Sequence, residues 1–400
     1  MDVKLKRVLV LNPYLPTLGG GEKHMGFLCQ FMEEYFENVQ IDILVHNYNE
    51  IDIHALDYPT VEELNARFGL ELHQTQIIKM DLDKSAGMIQ SLKNKRKIEQ
   101  MTKHYDLFVN FMFLSKHIGR ATFNIYECMF PPKQVKQELT HSLKHLIWRI
   151  FDALFYRSYQ LFISNSLYTN HWLATFWKSS PKNKTIYPPT FWAEEIKDRY
   201  QEESKKNIII SVGRFFVAAH SKKQLEMVKI FINNRETLGS YEYHLVGAVS
   251  NAPQDQAYLG EIKCLAASVN NVFIHENCPY GQLIELYKQA KIFWHATGYL
   301  VDENREPEKM EHFGITTVEA MSFGAVPVVI NKGGQKETVI HGETGYLWND
   351  EAECVELTKN LIDDDAMRKK FAVAAVERSY QFSIDTFYKE NRRVFHECQL

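Results

Sequence analysis

Two glutamates eight positions apart, Glu311 and Glu319, bracket the turn Phe313-Gly314-Ile315-Thr316-Thr317. An apolar run from Ala325 to Ile330 follows, then Gly333-Gly334, then Gly342 and Gly345. This pattern predicts a loop, a short helix, a buried strand and a second glycine loop. An α/β protein presents acids and backbone N–H groups to a phosphorylated ligand in this way, at the carboxyl ends of its strands. Carboxylates at this spacing could be the acid/base pair of a glycoside hydrolase. They could also be a helix-start and a helix-interior residue with no chemistry. A third reading is binding, because each ionised carboxylate has several acceptor positions for sugar hydroxyls. His24, His295 and His312 are candidate polar contacts, and each is equally a residue that could serve only packing.

A cationic cluster lies upstream in the same half of the chain. The strand-like run Asn207 to Val212 ends in Gly213-Arg214-Phe215, and Lys222-Lys223 precede the next helical pattern. Cations at a helix N-terminus oppose its dipole. The placement makes sense if an anion is held between them, since arginine offers two parallel donors to phosphate and lysine a point charge. Alone, the cluster reads equally as solvated surface charge; with the glutamate pair downstream it reads as an anion site.

These residues need a scaffold, and the chain supplies two alternating arrays. The 400 residues are too many for most single cores. Arg7 to Asn12 reads as a buried parallel strand. A loop ending in Gly19-Gly20-Gly21-Glu22, a helix with Met25, Leu28 and Phe31 on one face, and a strand at Ile41 to Val45 complete a βαβ unit. The loop lacks GxGxxG, which disfavours a dehydrogenase-type dinucleotide site. Three glycines at a helix start still let a ligand approach the backbone, although a plain turn accounts for them too. Residues 50–104 are polar, and Lys93-Asn94-Lys95-Arg96-Lys97 reads as a solvated helix face. Tyr105 to Phe113, Ala121 to Tyr126 and Leu161 to Ser164 read as strands. Between Lys133 and Arg157 apolar residues recur at helical steps among basic ones. That helix either packs in the core or lies on an anionic membrane.

Tyr187-Pro188-Pro189 and the charged stretch Glu194 to Lys206 mark a boundary and a linker. After it, strands at Asn207–Val212, Tyr243–Val246, Val272–His275 and Ile292–His295 alternate with helical patterns. The predicted domains are 1–190, 191–380 and a C-terminal helix, 381–400, packing back on the first. Two βα arrays imply two doubly wound, Rossmann-like domains facing across a cleft.

Bulk properties narrow the function classes. Apolar content of 45% and charged content of 24% are those of a globular protein. The net charge of −4 argues against nucleic-acid binding through overall charge. The six cysteines are scattered with no CxxC, as free thiols in a reducing compartment would be. No run of about 18 apolar residues would cross a membrane. The N-terminal apolar run is too short for a signal peptide. The expected location is cytoplasmic, with the inner membrane face as an extension of the helix at 139–157.

Taken together, Glu311 to Glu319 with His312-Phe313-Gly314, Gly19-Gly20-Gly21-Glu22, and Val212-Gly213-Arg214 with Lys222-Lys223 resemble the retaining glycosyltransferases of family four, which have the GT-B fold. Asn165-Ser166 with Thr169, His171 and Trp177, then Tyr187-Pro188-Pro189, resembles its mannosyltransferase branch. The resemblance implies a hexosyltransferase that moves a hexose from a nucleotide sugar, GDP-mannose ahead of a UDP-hexose, to a glycan or lipid-linked acceptor. It implies that Arg214 and Lys222 hold the donor diphosphate, with helix N-termini, without a metal or any cofactor beyond the nucleotide-sugar co-substrate. Glu311 would lie against the donor sugar and Glu319 on the ribose. The N–H groups of Gly314, Ile315 and Thr316 would meet sugar or phosphate, and Gly20 and Gly21 would form the facing wall. Met129 stands where many relatives carry histidine. The alternative is a GT-B protein that does not transfer, either a sugar-nucleotide epimerase or a silent sugar-nucleotide-binding subunit.

Overall fold

The computed structural model describes residues 5–14, 19–47, 58–83, 87–134, 143–177, 182–217 and 221–400. The chain divides into two compact units, Met1–Tyr187 with Phe387–Leu400, and Pro188–Thr386.

The first unit contains β1 (Arg7–Leu11), α1 (Gly20–Tyr35), β2 (Gln40–His46), α2 (Val61–Phe68), β3 (Thr75–Met80), α3 (Met88–Met101), β4 (Leu107–Asn110), β5 (Phe123–Cys128), α4 (Leu143–Ser158), β6 (Leu161–Ser164), α5 (Leu167–Trp177) and β7 (Asn183–Thr185). Its seven strands run β3-β2-β1-β4-β5-β6-β7, and every pairing is parallel. Parallel strands covered on both faces need continuous apolar sequence. Val8 to Leu11 and Leu107 to Val109 meet that need, all fully buried.

The second unit contains α6 (Ala193–Lys197), β8 (Lys206–Val212), α7 (Gln224–Asn233), α8 (Arg235–Leu238), β9 (Glu242–Gly247), α9 (Pro253–Ala266), β10 (Val272–Glu276), α10 (Tyr280–Gln289), β11 (Ala290–His295), α11 (Ile315–Ser322), β12 (Val326–Ile330), α12 (Gln335–Thr338), β13 (Tyr346–Trp348), α13 (Glu351–Asp363) and α14 (Asp365–Ser379). Six parallel strands run β10-β9-β8-β11-β12-β13. In each sheet the chain starts at a central strand, winds to one edge, then returns to the other side of its first strand. The reversal falls between β1 and β4 in the first unit and between β8 and β11 in the second. Neighbouring loops part at such a reversal and leave a crevice at the carboxyl ends of the strands.

The last helix, α15 (Ile384–Glu397), completes the first unit. Phe387 meets His24 edge-on at 5.3 Å between ring centroids, and Tyr388 and Phe395 each lie 5.4 Å from Phe31.

One expectation is extended by the structure and two are corrected. Among its described residues the polar region 50–104 holds a strand, two α-helices and a short 3-10 turn, Thr102–His104. Thr60 and Glu63 form a reciprocal cap at the start of α2, and the basic run sits within α3. The charged stretch Glu194 to Lys206 is folded, not a free linker. Arg199 lies 3.6 Å over the Phe191 ring, and Glu202 pairs with the fully buried Arg368. The helix expected from Lys133 is described from Leu143, and residues 135–142 lie outside the described ones. No helix among the described residues is long and apolar enough to cross a membrane.

Candidate functional site in the second unit

The site grows from the reversal between β8 and β11. After β8 the chain turns through Gly213 and Arg214, and Gln224 fixes that turn. Its Nε2 donates to the Gly213 and Arg214 carbonyls, both at 3.0 Å. Gly213 is required by the neighbour it carries. A Cβ there would come within 2.6 Å of Lys222 Cγ, so the stem of Lys222 crosses the turn only because no side chain stands in its way. Lys222 then extends to Glu311, with Nζ 2.5 Å from Oε2.

β11 delivers the second side of the site. It ends at His295, whose side chain is 2% exposed and whose Nε2 lies 2.9 Å from the same Glu311 oxygen. Gln335 Nε2 lies 3.3 Å from His295 Nδ1. The neutral ring protonated on Nε2 satisfies both contacts, donating to the carboxylate and accepting from the amide. Burial depresses the His295 pKa, and the Lys222 charge adds to the effect against the pull of Glu311. Burial alone would raise the Glu311 carboxyl, but Lys222 and His295 outweigh it and hold it well below the ordinary carboxylate range. Glu311 is therefore an anion at neutral pH, held by a cation on one side and a neutral donor on the other.

The third side is the start of α11. Its N-cap Gly314 has φ +96°, and a Cβ there would meet Gln335 Nε2 at 2.6 Å. Both facts demand glycine. The Gly314 carbonyl accepts from Thr317 and Val318. The N–H groups of Ile315 and Thr316 precede the first intrahelical bonds and point out of the helix start. The Gly333-Gly334 loop closes the base, with the Gly334 N–H on the Glu311 carbonyl at 2.7 Å. Glu319 lies deeper in α11, 8% exposed, accepting from the Tyr287 hydroxyl at 3.4 Å.

The residues predicted from sequence thus fall into groups. Lys222, Glu311, Gly314, Ile315 and Thr316 come together at the reversal. Lys223 does not join them: it caps α7 with φ +58° and reaches Glu226 instead. The guanidinium of Arg214 lies 4.8 Å over the Phe216 ring, and among the described residues it has no ion-pair partner. Gly20 and Gly21 belong to the first unit and open α1; a Cβ on Gly21 would sit 3.8 Å from Met129 Cε. His24 is buried between Phe111 and Phe387, and among the described residues neither ring nitrogen has a hydrogen-bond partner. His312 contacts the Glu308 carbonyl at 3.2 Å.

Sequence reasoning missed Gln224, Gln335 and Thr297, whose hydroxyl lies 3.2 Å from His295 Nε2. The available signal was adjacency: Gln224 follows the lysine pair and Gln335 follows the glycine pair.

Comparison with known proteins bears on this geometry. Residues 193–378 match the family model of glycosyl transferases group 1. A GDP-Man:Man(3)GlcNAc(2)-PP-Dol alpha-1,2-mannosyltransferase of Dictyostelium discoideum is 25% identical over 261 residues, 60% of this chain and 48% of that protein. The alpha-1,3/1,6-mannosyltransferase ALG2 of the same organism is 27% identical over 200 residues, 46% of this chain and 44% of its own. The matches thus span less than half the length of either relative. Among solved structures, Anabaena Alr3699/HepE, crystallised with UDP and glucose, superposes with a TM-score of 0.67 at 17% identity, over 98% of this chain and all of that one. The likeness shows the fold, the GT-B pair of Rossmann-like units.

Proposed function

We propose that this chain is a retaining hexosyltransferase that moves a sugar from a nucleotide donor to a glycan or lipid-linked acceptor. The observation that carries the reading is the Lys222–Glu311–His295 cluster at the β8/β11 reversal, beside the start of α11. The match over residues 193–378 supports the reaction class. GDP-mannose is the first donor to test, because the two mannosyltransferases are similar to this chain over roughly half of it or more. UDP-hexoses come next.

Breaking a glycosyl–phosphate bond leaves charge on the diphosphate and an electron-poor sugar carbon. Arg214, Lys222 and the Ile315 and Thr316 N–H groups supply positive potential for the leaving group without reorganising at the moment of reaction. Both described contacts of the Glu311 carboxylate fall on Oε2. Oε1 remains to accept from a sugar hydroxyl, which fixes the ring. Glu319 would take the ribose. The departing phosphate oxygen accepts the acceptor's proton on the same face, which gives retention. No step in this scheme calls for a bound metal.

The test is nucleotide release from GDP-mannose, UDP-glucose and UDP-N-acetylglucosamine, with and without lipid and glycan extracts. Release that rises with extract, together with a labelled sugar in the extract, supports transfer. Isomerised sugar without transfer would mark an epimerase. No turnover of any donor would overturn the reading.

A further inference from the structure

The helix α4 turns an apolar arc to solvent. Leu146, Ile147, Ile150 and Leu154 are 54%, 44%, 52% and 47% exposed, against the near-complete burial usual for such residues in a packed helix. At 100° per residue these four, with exposed Ala153, Arg149 and Arg157, share one side. The opposite side is anchored. Phe155 is buried, Asp152 pairs with Lys116 at 2.7 Å, and Tyr156 stacks on Trp177 at 5.8 Å. Solvent exposure of the arc is therefore a consequence of how the inner face is fixed.

The charge on this arc selects its occupant. Asp152 is the one acid of α4, and it faces inward. Among its described side chains the outward charges are Arg149 and Arg157. Neighbouring α3, which meets α4 where Lys95 lies 5.8 Å from the Phe151 ring, adds exposed Lys93 and Arg96. We propose that α4 is a membrane-docking helix. It lies in the headgroup region of an anionic bilayer, with Leu146, Ile147, Ile150 and Leu154 toward the acyl chains and the arginines at the phosphates. Phosphate and acyl surface are what this pattern complements. A second copy of the chain is a poorer fit, because a two-fold contact through α4 would set arginines against arginines. One helix face also offers less than the ~800 Å² that each partner contributes to a standard protein interface. The inference is independent of the proposed transfer.

The experiment is co-sedimentation of the full chain with vesicles of phosphatidylcholine, alone or with phosphatidylglycerol, at low and high salt. Light scattering reports the oligomeric state in parallel. The protein should pellet with anionic vesicles at low salt, stay largely in solution with neutral ones, and be released as salt rises. Ile150→Asp with Leu154→Asp should abolish pelleting while circular dichroism stays unchanged, both positions being half exposed. Arg149→Gln and Arg157→Gln, which leave the apolar arc intact, should each weaken binding about fivefold. A wild-type chain that stays in solution with anionic vesicles at low salt overturns the proposal. So does pelleting that all these variants retain. A wild-type dimer that the aspartate variant converts to monomer assigns the face to self-association and overturns it too.

Discussion

The Lys222 ammonium and the Glu311 carboxylate meet at 2.5 Å although 89 residues of chain separate them. The pair joins the loop after β8 to the loop after β11, so the β8/β11 reversal is bridged by charge as well as by backbone pairing. An incoming diphosphate must share Lys222 with Glu311. Arg214, unpaired among the described residues, can meet it directly.

Removing either cation should therefore act on the donor more than on the fold. Lys222→Ala and Arg214→Ala are expected to lower kcat/KM for sugar transfer by about 100-fold or more. Their thermal midpoints should stay within a few degrees of wild type. The check is steady-state kinetics beside a melting curve. Retention of full activity in both would remove the basis for the proposed function.

Gly213→Ala tests the crossing of Lys222 over the turn. The new methyl would fall 2.6 Å from Lys222 Cγ, and the flexible stem is the part that yields. Donor affinity, measured by titration calorimetry, should fall by about tenfold or more, with a stability loss of about 1–2 kcal/mol. Loss of stability with unchanged donor affinity would show that Lys222 does not hold the donor.

His24 gives a pH prediction. Burial lowers its pKa from 6.5 to about 3. The unfolded chain therefore takes up a proton near pH 6.5 that the folded chain refuses until about pH 3. Stability from this residue is full above pH 6.5 and falls as pH drops toward 3. Between pH 7 and 5 the wild type should lose about 2 kcal/mol more than His24→Leu. Urea midpoints at the two pH values decide it, and equal losses would contradict the buried, neutral ring.

Arg368 gives a stability prediction away from the site. Its side chain is fully buried and joins Glu202 to Asp365. Both acids keep partial access to water, so their loss of partner costs less than in a sealed pair. Arg368→Ala should destabilise the protein by about 3 kcal/mol, read as a lower thermal midpoint.

Legibility in the sequence followed burial. Strands such as β6 and β12 were readable because every residue in them is buried and apolar runs allow nothing else. β3 and β7 were not, because they are edge strands, half exposed, and β7 is three residues long. The charged stretch before β8 looked like a linker because no pattern announces that Glu202 finds Arg368, 166 residues away. In the site, Glu311 and Lys222 were legible from residue type and spacing. The choice of Lys222 over Lys223 has its physical basis in the left-handed backbone of Lys223, which turns that side chain to Glu226. The amides of Gln224 and Gln335 act across the fold, on the Gly213–Arg214 turn and on His295, and no one-dimensional spacing encodes such contacts.

The placement of α15 sets an order of assembly. The second unit is one unbroken segment, whereas the first is split, its closing residues Phe387–Leu400 following the whole of the second. On a ribosome the strands from β1 to β7 emerge first, yet Phe31 and His24 wait for Phe395 and Phe387 until the other unit has been made. The segment that begins second is thus the one that can finish first. Until α15 is made, His24 and Phe31 lack the rings of Phe387 and Phe395 that meet them in the folded unit.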